Sequence, residues 1–291
     1  MNRGLFGFLV FLGALVFGLG VVGYVLGPNR LAFVFHAERR TEPVVIVELL
    51  EFVDAEHDPV YQNDFARPEL ALIRALGGEG LWRAGVGEVV TGQASDAWSM
   101  LDVVRYPSRA AFIELVTSAD YRALGGVRDA AVKRGALFAA APLLDLKAGL
   151  HARESRYHVV RMFAGAHDDS IDVYATKWLA QDEQLLQHHG GELNWRARLS
   201  PLVADPDERF DEMQIYGFRD ADGRRDWIAD MQRQTQRTLQ RRLFRRDVLL
   251  FVDARIDAED RPSMPPEAAN VPVAERNAEA TAEEGALDNP N

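Results

Sequence analysis

The sequence predicts an α+β protein in which one β-α-β-β-α-β unit is built twice behind a membrane anchor. Three observations carry this reading. The stretch Gly77-Gly78-Glu79-Gly80-Leu81-Trp82-Arg83-Ala84 returns as Gly190-Gly191-Glu192-Leu193-Asn194-Trp195-Arg196-Ala197, an offset of 190 − 77 = 113 residues. A repeat of that length means two copies of one module. Around each copy, β-branched runs and segments of helical apolar spacing follow in the same order. Ahead of both, residues 4–27 carry no charged side chain.

At about 1.5 Å per residue, residues 4–27 can cross a hydrocarbon core of about 30 Å. A cleaved signal has a shorter apolar core and a small-x-small cleavage site. This run is longer, and Gly23-Tyr24-Val25-Leu26-Gly27-Pro28 is a poor site, so a single uncleaved transmembrane helix is expected, followed by a linker over residues 28–42. Arg30, Arg39 and Arg40 outnumber Arg3 across the span, which leans the main domain weakly toward the cytoplasm by the positive-inside bias. Arg3 holding a short N-terminus inside gives the opposite side, and both remain open.

The first module covers residues 43–146. Val44 to Phe52 is β-branched and apolar, a strand. Residues 59–76 place Tyr61, Phe65, Leu70, Ile73 and Leu76 at helical spacing, and Gly77-Gly78 stops that helix. Strands follow over 79–91 and 97–106, joined by the turn-like Thr91-Gly92-Gln93-Ala94-Ser95-Asp96. Pro107-Ser108 opens a second helix with Ser108 as N-cap; it carries Phe112, Ile113, Leu115 and Val116, with a further helical turn from about Ser118. The apolar run 136–144 is the last strand. This order is the ferredoxin-like motif.

The second module, residues 156–256, repeats it: a strand over 157–163, a long helix over 168–188, strands over 193–203 and 210–218, a helix over 222–239 and a strand over 248–255. The strand from Trp98 to Tyr106 matches Phe210 to Phe218 at an offset of 112 (210 − 98). A duplication whose hairpin loop has lost one residue produces these two offsets. Residues 257–291 hold few large apolar residues besides Val271 and Val273 and read as a disordered acidic tail.

Composition excludes several chemistries. The net charge of −11 leaves no basic stripe to displace counterions from phosphates, so nucleic acid is not an expected partner. There is no cysteine, hence no disulfide, thiolate nucleophile or Cys-based zinc site. Gly-Gly-Glu lacks the Lys-Ser/Thr pair of a phosphate loop, and neither Gly-x-Ser-x-Gly nor His-Glu-x-x-His occurs. Adjacent His188 and His189 point about 100° apart on a helix and do not converge on a metal. No cofactor and no metal are expected.

The stretch Arg105-Tyr106-Pro107-Ser108-Arg109-Ala110-Ala111-Phe112, running on through Ser118-Ala119-Asp120-Tyr121 to Arg128, resembles the bacterial domain of unknown function 1330 family, of the dimeric α+β barrel superfamily. That family also shows a Gly-Gly pair between its first helix and second strand, as at Gly77-Gly78. The resemblance covers residues 43–144 well and the second module less, because Arg219-Asp220-Ala221-Asp222-Gly223 replaces the Pro-Ser helix start. It implies two sheets placed face to face around a shared interior, here as an internal pseudo-dimer, so the soluble part should be monomeric. The superfamily includes cofactor-independent monooxygenases, haem-handling enzymes and proteins without assigned activity, and fold does not choose among them.

Strand alternation sorts the faces. Trp82, Ala84 and Val86 match Trp195, Ala197 and Leu199, and with Leu101, Val103, Met213 and Ile215 they are assigned to the helix side. The opposite, inter-sheet face then holds Glu48, Arg83, Asp102, Arg161, Arg196, Arg198, Glu212, Gln214 and Tyr216. Buried charges cost several kcal/mol each unless paired. Two accounts fit: an ion-pair network joining the halves, or a polar pocket. In the pocket, Arg196 and Arg198 bind a small anionic or carbonyl-bearing molecule, with Glu48 or Asp102 as base. The leading expectation is a small-molecule-binding protein anchored once in a bacterial inner membrane. A cofactor-independent monooxygenase-like enzyme and a membrane-tethered interaction scaffold are the alternatives.

Overall fold

The structure is a computed structural model and describes residues 41–144, 157–205, 208–237 and 242–254. The expected anchor (4–27), nearly all of its linker (28–42) and the expected tail (257–291) lie outside the described residues. No helix among the described residues is long and apolar enough to cross a membrane.

The first half runs β1 (Val44–Phe52), α1 (His57–Tyr61), a π-helical turn (Gln62–Ala66), α2 (Arg67–Ala75), β2 (Glu79–Thr91), β3 (Met100–Tyr106), α3 (Arg109–Thr117), α4 (Ala119–Ala131) and β4 (Val132–Leu144). The second runs β5 (Tyr157–Gly165), α5 (Ser170–Lys177), α6 (Leu179–His188), β6 (Gly191–Val203), β7 (Glu212–Phe218), α7 (Ala221–Arg237) and β8 (Phe244–Ala254). The duplicated β-α-β-β-α-β order holds. The first helix of each half, expected to be continuous, is interrupted by the π turn in one half and breaks at Trp178 in the other.

Local chemistry sets the boundaries. Gly77 and Gly190 close their helices in the left-handed region (φ +78° and +69°), which a side chain adopts only with strain. The Ser108 hydroxyl accepts from the Ala111 amide at 3.1 Å, and Ser118 caps α4 in the same way at Tyr121. In the second half Asp220 stands where Ser108 does and accepts from the Gly223 amide at 2.7 Å. A different residue supplies the same cap.

Eight antiparallel strands close into a barrel in the order β1-β3-β2-β8-β5-β7-β6-β4. Each half supplies four neighbouring strands, and the β2–β8 and β4–β6 pairings join the halves. The chain thus forms by itself the barrel that two ferredoxin-like units make together. At one end the halves exchange arginines. Arg134 lies over Trp98 and pairs with Glu208, while Arg246 lies over Phe210 and pairs with Asp96. Each arginine stacks within its own half and bonds a carboxylate of the other, so one contact is made twice, as a two-fold interface requires.

The barrel interior corrects the face assignment. Trp82, Ala84, Leu101, Val103, Trp195, Ala197, Met213 and Ile215 pack with Val47, Phe138, Val160 and Leu250 in one cluster drawn from both halves. These apolar residues fill the interior, and the charged alternates face the helices. Glu48, Arg83, Asp102, Arg161, Arg196, Arg198, Glu212, Gln214 and Tyr216 therefore do not share an inter-sheet face. The physical reason is that both strand faces are covered. A closed interior offers charges neither water nor a second layer, whereas the helices of the outer layer bring partners of opposite sign.

Candidate functional site

Between helices α2, α3 and α4 and the outer face of the first-half strands β1, β3 and β4, with the end of β6 from the second half at its side, lies a cavity of about 580 Å³, within the range of small-molecule sites. Ile46, Val104, Phe112, Ile113, Val116 and Leu202 form its apolar wall, and Glu48, Glu69, Asp102 and Arg128 its polar end. The wall exists because Ser108 and Ser118 each restart the chain as a helix, giving two short helices at an angle rather than one long one.

Pairing at the polar end is uneven. Asp102 takes Arg83 in a fork, Nε to Oδ1 at 2.5 Å and Nη2 to Oδ2 at 2.7 Å, the strongest arrangement of these groups. Gln62, on the π turn, accepts from Arg83 Nη1 at 3.2 Å. Glu48 receives Arg128 Nη2 at 2.5 Å. Glu69 is buried and makes neither a hydrogen bond nor an ion pair among the described residues. Burial, and then the charges of Glu48 and Asp102, push its carboxyl well above the usual range, which favours its protonated form. Burial also raises the Tyr61 phenol, with Glu48, Glu69 and Asp102 adding to the effect.

Among the described residues, the matching place in the second half is occupied by side chains bound to one another. Arg161 stands where Glu48 does, fully buried, forked onto Asp247 at 2.9 and 2.7 Å and reaching Asp182 at 3.2 Å. Tyr174 donates to Asp182 Oδ2 at 2.7 Å. Arg196 forks onto Glu212 at 2.6 and 2.9 Å, Gln214 donates to Glu212 at 2.7 Å, and Tyr216 donates to Gln214. Arg198 pairs with Asp172. The nine residues expected on one face thus separate into Glu48 and Asp102 at the cavity, Arg83 held on Asp102 beside it, and six in the second half's network.

Glu69, Tyr61 and Arg128 were not among the candidates. A signal for Glu69 was present: it occupies the apolar stripe of the first helix, four residues from Phe65 and four from Ile73. An acid on a core-facing stripe is the informative exception among buried positions. Its counterpart Asp182 lies 113 residues on (182 − 69), as Tyr174 does from Tyr61 (174 − 61).

Fold and cavity together define the class: an α+β barrel protein of the dimeric α+β barrel type, with both units in one chain. No protein-family model matches the sequence, and no curated protein does. Among solved structures the chain is similar to an anthrone oxidase-like protein, at 12% identity over 77% of this chain and 97% of that one, with a TM-score of 0.48. It is similar to a mutant chlorite dismutase from Candidatus Nitrospira defluvii, at 11% identity over 72% and 90%, TM-score 0.43. It is also similar to a protein of unknown function from Rhodopseudomonas palustris, at 24% identity over 41% of this chain and 98% of that one, TM-score 0.35.

Proposed function

We propose that the protein is a membrane-anchored small-molecule-binding α+β barrel and that the first-half cavity is its binding site. The observation that carries this reading is the asymmetry of two duplicated units. One keeps a ligand-sized space with charged groups at its end, and the other fills the same space with its own side chains. Glu48, Arg83 and Asp102 then belong to the site, while Arg161, Arg196, Arg198, Glu212, Gln214 and Tyr216 are structural.

The test imports the second half's residues. Val104→Tyr with Leu115→Trp reproduces Tyr216 and Trp227 in the first-half cavity. Native mass spectrometry of the full chain should show a retained small molecule that the double variant lacks. A retained mass carried equally by both proteins would sink the assignment. Turnover of the released molecule would select the oxygenase reading over simple binding. The same spectra test the proposed monomer. Attachment through residues 4–27 at a bacterial inner membrane is part of this proposal, as is membership of the domain of unknown function 1330 family, which rests on the motif from Arg105 to Phe112.

A further inference from the structure

The second half shows what an acid at this point of the fold holds. Asp182 stands where Glu69 does, and the Arg161 guanidinium lies 3.2 Å from its Oδ2. Asp247 in turn holds Arg161 in a fork. The first half keeps the acid and loses the cation. Glu48 takes the place of Arg161 (161 − 48 = 113) and Gly135 that of Asp247 (247 − 135 = 112). Both exchanged positions line the cavity, and so does Glu69. The space that opens is therefore the space in which the other half seats a guanidinium.

A count of charges at that end points the same way. Glu48, Glu69 and Asp102 line it together with one cation, Arg128. Arg128 is taken by Glu48, and Arg83, beside the cavity, by Asp102. Three carboxyls against two guanidinium groups leave one carboxyl over, and it is Glu69, without a hydrogen bond or ion pair among the described residues. Buried acids are seldom left unpaired. An anion would meet three carboxyls and find both arginines engaged. A ligand with a single positive charge completes the third pair, and the apolar wall beyond accepts the rest of it.

We propose that the cavity takes an apolar-bodied organic cation, a protonated amine or amidine, and that Glu69 is the carboxylate that pairs with it. This inference rests on the binding function proposed above. The ligand does for Glu69 what the Arg161 guanidinium does for Asp182, through a charge-assisted hydrogen bond. The groups around Glu69 are Glu48 on β1, Arg83 on β2, Asp102 and Tyr106 on β3, Tyr61 on α1, and Tyr121 and Arg128 on α4. Burial and the two carboxylates among them favour its protonated form. Pairing with a cation releases that proton, so affinity for the cation rises with pH.

The experiment uses the full chain in zwitterionic lipid nanodiscs and three probes of one shape: 2-naphthylmethylamine, 2-ethylnaphthalene and 2-naphthoate. Each is titrated against the natural protein and the Val104→Tyr/Leu115→Trp variant in identical discs, so that partition into lipid cancels. At about pH 8 the amine should bind roughly tenfold tighter than the other two, or better. Its affinity should rise from about pH 5 to about pH 8 as Glu69 gives up its proton, while that of the hydrocarbon stays level. Glu69→Gln should bring the amine down to the hydrocarbon's affinity and flatten its pH profile. Glu69→Asp, which keeps the carboxylate, should retain the preference. An amine advantage that survives Glu69→Gln overturns the inference. Equal binding of amine and hydrocarbon, both lost in the filled variant, overturns it as well and leaves the binding function standing, as does a preference for naphthoate. If no probe distinguishes the natural protein from the filled variant, the binding function falls and the inference with it.

Discussion

In the first half, Val104 and Leu115 stand behind Glu48, and the space between sheet and helices stays open. In the second half the corresponding positions are Tyr216 and Trp227, whose rings lie 4.9 Å apart, and Trp227 also meets Phe218 at 5.4 Å. Gly135, which lines the cavity, is matched by Asp247, the carboxylate forked onto Arg161. Among the described residues, two larger aromatics and one salt-bridged arginine therefore occupy the place that the first half leaves open. The comparison teaches that the fold supplies the space and a handful of side chains decide whether it is kept. The burden on each half differs accordingly. The filled half gains dispersion contacts and a satisfied network. The open half tolerates an unpaired carboxyl and an unmet hydroxyl.

The sharpest break of the comparison is at the matched pair Arg161 and Glu48. Arg161→Leu strands Asp182 and Asp247 beside a buried site and should destabilise the protein by about 3–5 kcal/mol in urea unfolding. Glu48→Leu frees Arg128, whose side chain is 31% exposed, and should cost about 1 kcal/mol. Equal losses would mean that the two halves are not energetically distinct. A smaller effect follows from Glu69. Its folded-state carboxyl is raised above the ordinary 4.5, so above that pH the folded protein binds a proton that the unfolded chain has released. Stability should then decline as pH rises from about 4.5 toward the folded pKa, by at most about 1.4 kcal/mol per pH unit from this group. Glu69→Gln should remove that slope when unfolding is followed across pH 5–8. The smallest effects are the caps: Ser108→Ala and Asp220→Ala should each cost about 1 kcal/mol. Matching melting shifts would show that serine and aspartate do equal duty at equivalent helix starts.

Much of the architecture was legible because a repeat fixes it twice. The Gly-Gly stops, the Ser108 cap and the strand order could be read from single residues whose backbone demands are local. The burial side of each strand could not. Residues such as Trp82 and Asp102 alternate cleanly, but alternation gives two faces without saying which one the helices cover, and here both faces are buried. Assigning the apolar face to the helices is sound for an open sheet and inverts in a closed barrel. The candidate site suffered the same inversion. Glu48, Arg83 and Asp102 were assigned to an inter-sheet face and stand on the helix-covered one, and Glu69, which lines the cavity, was not singled out because it sits on a helix and not on a strand.

Closing the barrel through β2 and β8 sets the order of events on the ribosome. Ala84 pairs with Ala254, and β4 waits likewise for β6. Until those strands emerge, the finished first half carries two edges of unpaired backbone groups, the template on which foreign strands add. From the end of β4 to the end of β8 is 254 − 144 = 110 residues, which at usual rates of synthesis takes roughly five to twenty seconds. During that interval a neighbouring nascent chain presents β8- and β6-like edges of the same geometry. Barrel closure is a race between a chain's own second half and that of its neighbour, so crowding on a polysome and translation speed both bear on how much protein closes on itself and how much swaps strands.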